Sequence, residues 1–261
     1  MNVKAIVLRA PGTNCDQETA FALEQGGADA EILHIWKLIE NPRLLRKTKI
    51  LVIPGGFSYG DDIAAGKLMA NELKLKMKDQ LEMFIKSGRL ILGICNGFQV
   101  LTSMGLLPAT EGGAAEEAAL VLNDSSRFED RWVHLAFNEK SPSPLKDDDP
   151  VNLPVAHGEG KLVTMSPDVL NRLIKQNQVV AQYVDEEGEL AGYPHNPNGS
   201  VKNIAALCNP SGNVMGLMPH PERYLTGYQH PQWTRSKDRR KAEGDGLRLF
   251  QRLVYYARKH A

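Results

Sequence analysis

Residues 90–100 read LILGICNGFQV: an unbroken apolar run, then a cysteine between two glycines, then residues that suit the first turn of a helix. A strand followed by G-x-C-x-G and a helix has the layout of a nucleophile elbow, a tight turn that lifts one side chain above the carboxyl ends of parallel strands. Gly93 and Gly97 are small enough to let that turn close. A helix beginning at Asn96 sets its free N–H groups and the positive end of its dipole near the Cys95 sulfur, which favours a thiolate and later an oxyanion. The plainer alternative is a small buried hydrophobe at a strand end. A merely buried cysteine, however, does not need this turn.

Outward from this stretch, 3–9 (VKAIVLR), 49–53 (KILVI) and 89–94 (RLILGI) are too short for free-standing helices and too continuous for a one-sided sheet. They are expected to be parallel strands covered on both faces. Helices are expected between them, one over 16–25 with Asp16 as N-cap and Gly26-Gly27 as its stop. A second is expected over about 67–86, with Met77, Leu81, Phe84 and Ile85 on one face and Gly88 at its end. This alternation predicts an α/β fold with a doubly wound, mostly parallel sheet and helices on both faces. From about 110 the pieces become shorter and β-like, separated by loops such as 141–150 (SPSPLKDDDP) and 193–200 (YPHNPNGS). Segments 179–184, 203–208 and 213–218 should extend the sheet or form an antiparallel flank. A closing helix is expected over about 246–259, with Leu247, Phe250, Leu253 and Val254 on one side. No repeat or linker divides residues 1–261, so one domain is expected.

Composition narrows the partners. Lys+Arg and Asp+Glu both number 31 in 261 residues, so no net field draws the chain onto nucleic acid or anionic lipid. Cys15, Cys95 and Cys208 show no CxxC spacing and are odd in number, which argues against a disulfide framework and a thiolate metal site. A reducing cytoplasm suits them, and no targeting or membrane-spanning segment is visible. The expected partners are a small molecule and another protein.

A thiol nucleophile needs a base and a group to orient it. In GNVMGLMPHPERY, residues 212–224, an apolar strand leads to His220 between two prolines, with Glu222 two residues on. In an extended segment that carboxylate can hold the imidazole's ring and tautomer. His-x-Glu alone is a weak signal, and its weight comes from a cysteine elbow on the same sheet edge. The third element, IPGGFSYGDD at 53–62, opens a strand end into glycines whose N–H groups can converge on an oxyanion. A phosphate site is disfavoured, because neither a P-loop nor a G-x-G-x-x-G after the first strand is present.

Six stretches in order, PGTNCD (11–16), PGGFSYGDD (54–62), GICNGFQVL (93–101), AHGEG (156–160), NPNGS (196–200) and GLMPHPER (216–223), resemble the class I, or triad, glutamine amidotransferases. Among these the resemblance is to the members that serve purine biosynthesis, and it covers nearly the whole chain. It implies the flavodoxin-like fold of that class. By position it implies Cys95 as nucleophile, His220 as general base and Glu222 as its orienter. Gly56 and the Asn96 N–H fall where the oxyanion hole lies, and Phe57 and Gln99 where the family contacts glutamine. It further implies that ammonia from glutamine passes to a large ATP-binding synthetase, with or without a small bridging protein, which converts formylglycinamide ribonucleotide to the amidine. ATP and Mg²⁺ then belong to that partner, and this chain needs no cofactor or metal. Segments 109–120 and 226–245 exceed the compact members of the family.

Other residues have weaker claims. Cys15 follows the first strand and faces the same edge as Cys95, which allows a second active-site thiol, but its surroundings in the sequence offer no paired base, so it is expected to be a small loop residue. Cys208 should be core; for His157 the resemblance implies the glutaminase site or the partner-facing surface, and the sequence alone equally allows an exposed turn. The basic run Arg235, Lys237, Arg239, Arg240 and Lys241 should be a solvated loop rather than a phosphate or partner contact. A triad amidotransferase of the GMP, CTP or histidine pathways, a silent scaffold and a plain cysteine hydrolase are the competing readings. GGFSYGDD and NPNGS disfavour the first, and the presence of all three triad residues disfavours the second.

Overall fold

Three apolar runs become adjacent parallel strands: β1 (Val3–Arg9), β3 (Ile50–Ile53) and β4 (Leu90–Ile94). Every residue of β3 and β4 is buried, as strands covered on both faces require, and each large aliphatic side chain contributes roughly 1.5–3 kcal/mol by leaving water. The computed structural model describes residues 2–61, 64–112, 115–147, 149–235 and 243–261. In chain order, β1 is followed by α1 (Asp16–Gln25), β2 (Ala28–His34), α2 (Ile35–Glu40), β3, α3 (Lys67–Lys76), α4 (Lys78–Lys86), β4 and α5 (Asn96–Ser103). Then come β5 (Ala118–Leu122), β6 (Glu129–Phe137), β7 (Val151–His157), β8 (Glu159–Thr164), α6 (Pro167–Lys175), β9 (Val179–Val184), β10 (Ile204–Cys208), β11 (Val214–Leu217) and α7 (Asp245–His260).

Among the described residues nine strands form one sheet in the order β2-β1-β3-β4-β11-β10-β9-β6-β7, and β5 pairs with β8 in a small antiparallel sheet. From β2 to β11 every pairing is parallel, and 2-1-3-4-11 is the flavodoxin-like winding. β10 reverses the direction and opens an antiparallel flank with β9, β6 and β7. Segments 203–208 and 213–218 therefore take both expected roles, β11 extending the parallel sheet and β10 beginning the flank. Helices α1 and α7 pack on each other and on β1, while α3 packs on α5 and α5 on β3, β4 and β11. These pairs are the two layers that right-handed crossovers produce. Buried Leu247, Phe250, Leu253 and Val254 hold α7 in place. Among the described residues no helix is long and apolar enough to cross a membrane.

Two local expectations are corrected. Asp16 is the first residue of α1 rather than its cap: the cap position is Cys15, with no side-chain capping bond, and the Asp16 carboxylate pairs with Arg9. There it still complements the helix dipole. The stretch 67–86 is two helices, broken at Met77, whose φ of −129° leaves the helical range. The apolar positions 69, 73, 77 and 81 are four apart, and each such step overshoots a helical turn by about 40°. A straight helix would carry this stripe away from the core; the break at Met77 turns it back, burying Leu81 and Phe84.

The longer segments are partly visible. In 109–120, the Glu117 carboxylate accepts from the N–H and hydroxyl of Thr110, and Ala118 begins β5, while 113–114 lie outside the described residues. Of the basic run, Arg235 ends a single 3-10 turn; Lys237, Arg239, Arg240 and Lys241 lie outside the described residues.

Candidate active site

Four neighbouring parallel strands, β1, β3, β4 and β11, end on the same edge, and each opens into a segment that reaches one cavity. In register, Ile53 pairs with Gly93 and Leu217 with Ile94, so the glycine loop after β3, the elbow after β4 and the His-x-Glu turn after β11 emerge side by side. The cavity holds about 490 Å³ and is lined by Gly56, Phe57, Cys95, Gln99, His157 and His220, among others.

Cys95 sits on a strained turn, with φ 51° and ψ −106°, between β4 and α5. A non-glycine residue held there costs on the order of 1–3 kcal/mol, which the surrounding bonds must offset. Its N–H donates to the Leu217 carbonyl at 2.8 Å, and its own carbonyl accepts from Phe98 at 2.9 Å. Gly97 is needed for close approach: a Cβ there would lie 1.8 Å from the Ile53 carbonyl oxygen. The elbow is thus closed by packing of α5 on β3, and the strain falls on the cysteine itself. Asn96 is the first residue of α5, so its N–H is among those with no acceptor inside the helix. Its side chain accepts from Ser58 Oγ at 2.6 Å and donates to Gln99 Oε1 at 3.0 Å, and Gln99 donates onward to the Glu159 carbonyl at 2.6 Å. These bonds tie the glycine loop, α5 and β8 together around the cavity. Phe57 stands half exposed at its mouth.

His220 and Glu222 are almost wholly buried, with His220 Nδ1 and Glu222 Oε1 2.6 Å apart. The spacing works because the short turn Pro221–Arg223 folds the carboxylate back toward the ring. Gly55 makes the room: a Cβ on it would fall 2.7 Å from His220 Cε1. Burial disfavours charge on His220, but the Glu222 carboxylate, then the sulfurs of Cys95 and Cys15, outweigh it and hold the imidazole well above its ordinary pKa. The structure therefore brings together every residue expected at the site: Cys95, His220, Glu222, Gly56, Phe57, Asn96 and Gln99.

His157 lines this cavity rather than an exposed turn. Asn123 Oδ1 lies 3.2 Å from Nδ1 and Asn198 Nδ2 3.5 Å from Nε2, and Asn198 also donates to the buried Tyr183 hydroxyl. Burial, then the charge of His220, pushes the His157 pKa down to about 4, so the ring is neutral near pH 7. NPNGS supplies the Asn198 behind it. Cys208 is core, its thiol pushed up by burial to about 11.

Cys15 corrects the expectation of a plain loop residue. It is fully buried, and its sulfur, a ring nitrogen of His220 and a carboxylate oxygen of Glu222 lie within 4.8 Å of one another, the one cluster among the described residues with donors for a metal ion. A base stands beside it after all, but it comes from β11, far along the chain. Arg223 was not singled out by the sequence: its Nη2 donates to the Cys15 sulfur at 3.1 Å. Its place directly after His-x-Glu was the signal available.

The family model described as "CobB/CobQ-like glutamine amidotransferase domain" matches residues 2–257. The phosphoribosylformylglycinamidine synthase subunit PurQ of Dehalococcoides mccartyi is 46% identical over 259 residues, covering 98% of each chain. That of Archaeoglobus fulgidus is 44% identical over 272 residues, again 98% of each chain. Among solved structures, PurLQS from Thermotoga maritima has a chain that superposes with a TM-score of 0.73 at 31% identity, over 98% of this chain and 99% of that one. A glutamine amidotransferase from Thermotoga maritima, at 15% identity and a TM-score of 0.53 over 98% of this chain and 97% of that one, shares the fold.

Proposed function

Because the chain belongs to the CobB/CobQ-like glutamine amidotransferase family, we propose that it is the subunit of phosphoribosylformylglycinamidine synthase that draws ammonia from glutamine for purine biosynthesis. The observation that carries the chemistry is the buried His220–Glu222 pair beside a thiol on a strained elbow. Glutamine enters the cavity with its side-chain amide at Cys95. The thiolate adds to the amide carbon, and the N–H groups of Gly56 and Asn96 receive the oxyanion. The imidazolium of His220 gives its proton to the departing nitrogen, releasing ammonia and leaving a thioester. Water then attacks with His220 as base, the thiolate leaves and glutamate is freed. Glu222 holds the Nδ1 proton throughout and stabilises the charged ring. Phe57 and Gln99 contact the substrate.

The ammonia goes to a large synthetase that binds ATP and Mg²⁺ and exchanges the amide oxygen of formylglycinamide ribonucleotide for nitrogen; this chain holds no cofactor of its own. The likeness to PurLQS supports such an assembly, with a small third protein in it. The chain works as one amidotransferase domain, in a cytoplasm whose reducing conditions suit three free cysteines.

In the assembled complex, Cys95→Ala should cut glutamine-dependent amidine synthesis by roughly 10³-fold or more, because no thioester can form. Ammonium salt at alkaline pH should still support synthesis at the wild-type rate. Loss of both activities in an intact complex would show that the chain takes part in the synthetase step itself.

A further inference from the structure

Cys15 has no part in the reaction above, yet it lies against the residue that carries the proton. Its backbone N–H donates to the Gly55 carbonyl at 3.3 Å, tying the loop after β1 to the glycine pair after β3. The point where a Gly55 Cβ would stand is 2.7 Å from His220 Cε1 and 3.2 Å from the Cys15 sulfur, so thiol and imidazole meet across the space glycine leaves. The sulfur is fixed from two sides: its S–H donates to Asn14 Oδ1 at 3.1 Å and it accepts from Arg223 Nη2 at 3.1 Å. Among the described residues His220 Nε2, by contrast, is buried without a well-formed hydrogen bond, so the bond to Glu222 is the strong one on the ring, and the sulfurs of Cys15 and Cys95 are its other polar neighbours. One bond leaves an imidazole free to tilt about it, and packing must supply the second restraint.

Three donors this close could hold a cation, but the Arg223 guanidinium already places a full positive charge at the sulfur. A metal there would have to displace it.

We propose that Cys15 is a positioning residue of the glutaminase reaction: braced by Asn14 and Arg223, its sulfur walls the His220 ring on the Gly55 side and keeps Nε2 presented to Cys95. This rests on the reading of Cys95 and His220 as nucleophile and base. A thiol suits the task better than a methyl, because it meets Asn14 and Arg223 as well as the ring edge. The charged or titratable groups around His220 are Glu222 and Arg223 from its own turn, Cys95 from the elbow, Cys15 from the loop after β1 and His157 from β7. Among them Cys15 acts in the same direction as Glu222 and Cys95, holding the proton on the ring.

The test compares Cys15→Ala, Cys15→Ser and Arg223→Lys with wild type in the assembled complex. Cys15→Ala should lower kcat for glutamine hydrolysis by about tenfold or more, with KM for glutamine within about twofold. The alkaline limb of the pH profile should move to lower pH, since a ring without this contact gives up its proton more easily. Cys15→Ser keeps a donor for Asn14 and an acceptor for Arg223, and should recover most of the rate and of the limb. Arg223→Lys keeps the positive charge near His220 but loses the guanidinium's reach, leaving the sulfur in place but unbraced, and should show a smaller loss with the same shift. Ammonium-supported synthesis should stay at the wild-type rate throughout. An unchanged kcat and pH limb in Cys15→Ala overturns the proposal, as does a loss of glutamine hydrolysis with the limb unmoved. Should Cys15→Ala fail to fold, an unshifted limb in Arg223→Lys overturns it. Failure of the underlying reading is a separate result: Cys95→Ala would then still hydrolyse glutamine.

Discussion

In the proposed mechanism His220 Nδ1 and Glu222 Oε1, 2.6 Å apart and shut away from water, divide the work of one base between two side chains. On that proposal the imidazole moves the proton, and the carboxylate keeps it in the right tautomer and stabilises its charge. Replacing His220 by Ala removes the carrier, whereas Glu222→Gln keeps most of the geometry and loses the charge. We therefore expect His220→Ala to be the more damaging, by about tenfold or more relative to Glu222→Gln, in glutamate release by the assembled complex. Wild-type activity in His220→Ala would exclude the triad. At this scale the sequence is informative where a side chain carries its own local signature. Cys95 has the glycines of the elbow and His220 the prolines and Glu222. Cys15 has neither, because what gives it meaning is an imidazole and a guanidinium from β11's far end, brought to it only by strand order.

At the scale of elements, the elbow depends on how closely α5 can lie on β3. A Cβ on Gly97 would come within 1.8 Å of the Ile53 carbonyl oxygen, backbone that cannot turn aside as a side chain could. Gly97→Ala must push α5 off the strand and relax the turn at Cys95. Denaturant unfolding should register a loss of about 1–3 kcal/mol, with glutamine hydrolysis falling further than stability alone explains. A variant as stable and active as wild type would show that the approach is not needed. The elements that the sequence made legible are those whose burial is uniform. β1, β3 and β4 read as unbroken apolar runs because both faces are covered. β2 was not predicted: it is an edge strand, and only one of its seven residues is buried, so ADAEILH carries no such run. The break at Met77 escaped for a different reason, since a four-residue spacing looks helical over one turn and drifts only over several.

For the molecule as a whole, a neutral histidine buried beside a charged one makes stability depend on pH. His157 is lowered from an ordinary 6.5 to about 4 by burial and by the charge of His220. As pH falls through 6.5 the unfolded chain takes up a proton that the folded chain refuses until about 4. The stability present above 6.5 is therefore lost across that window, by about 3 kcal/mol. Urea midpoints measured from pH 7 to pH 4 should fall more steeply for wild type than for His157→Gln; parallel curves would contradict it. The α/β class and the parallel half of the sheet were legible from alternation alone. That 213–218 would lie beside β4, deep in the sheet, was not, because pairing between segments so distant leaves no local pattern. That placement has a consequence for synthesis on the ribosome. The proposed nucleophile is made early, but its proposed base follows β11, the last of the described strands, which slots against β4 from far along the chain. On the proposed mechanism, a nascent chain that stalls before β11 holds a thiol without its proton carrier and cannot release ammonia from glutamine.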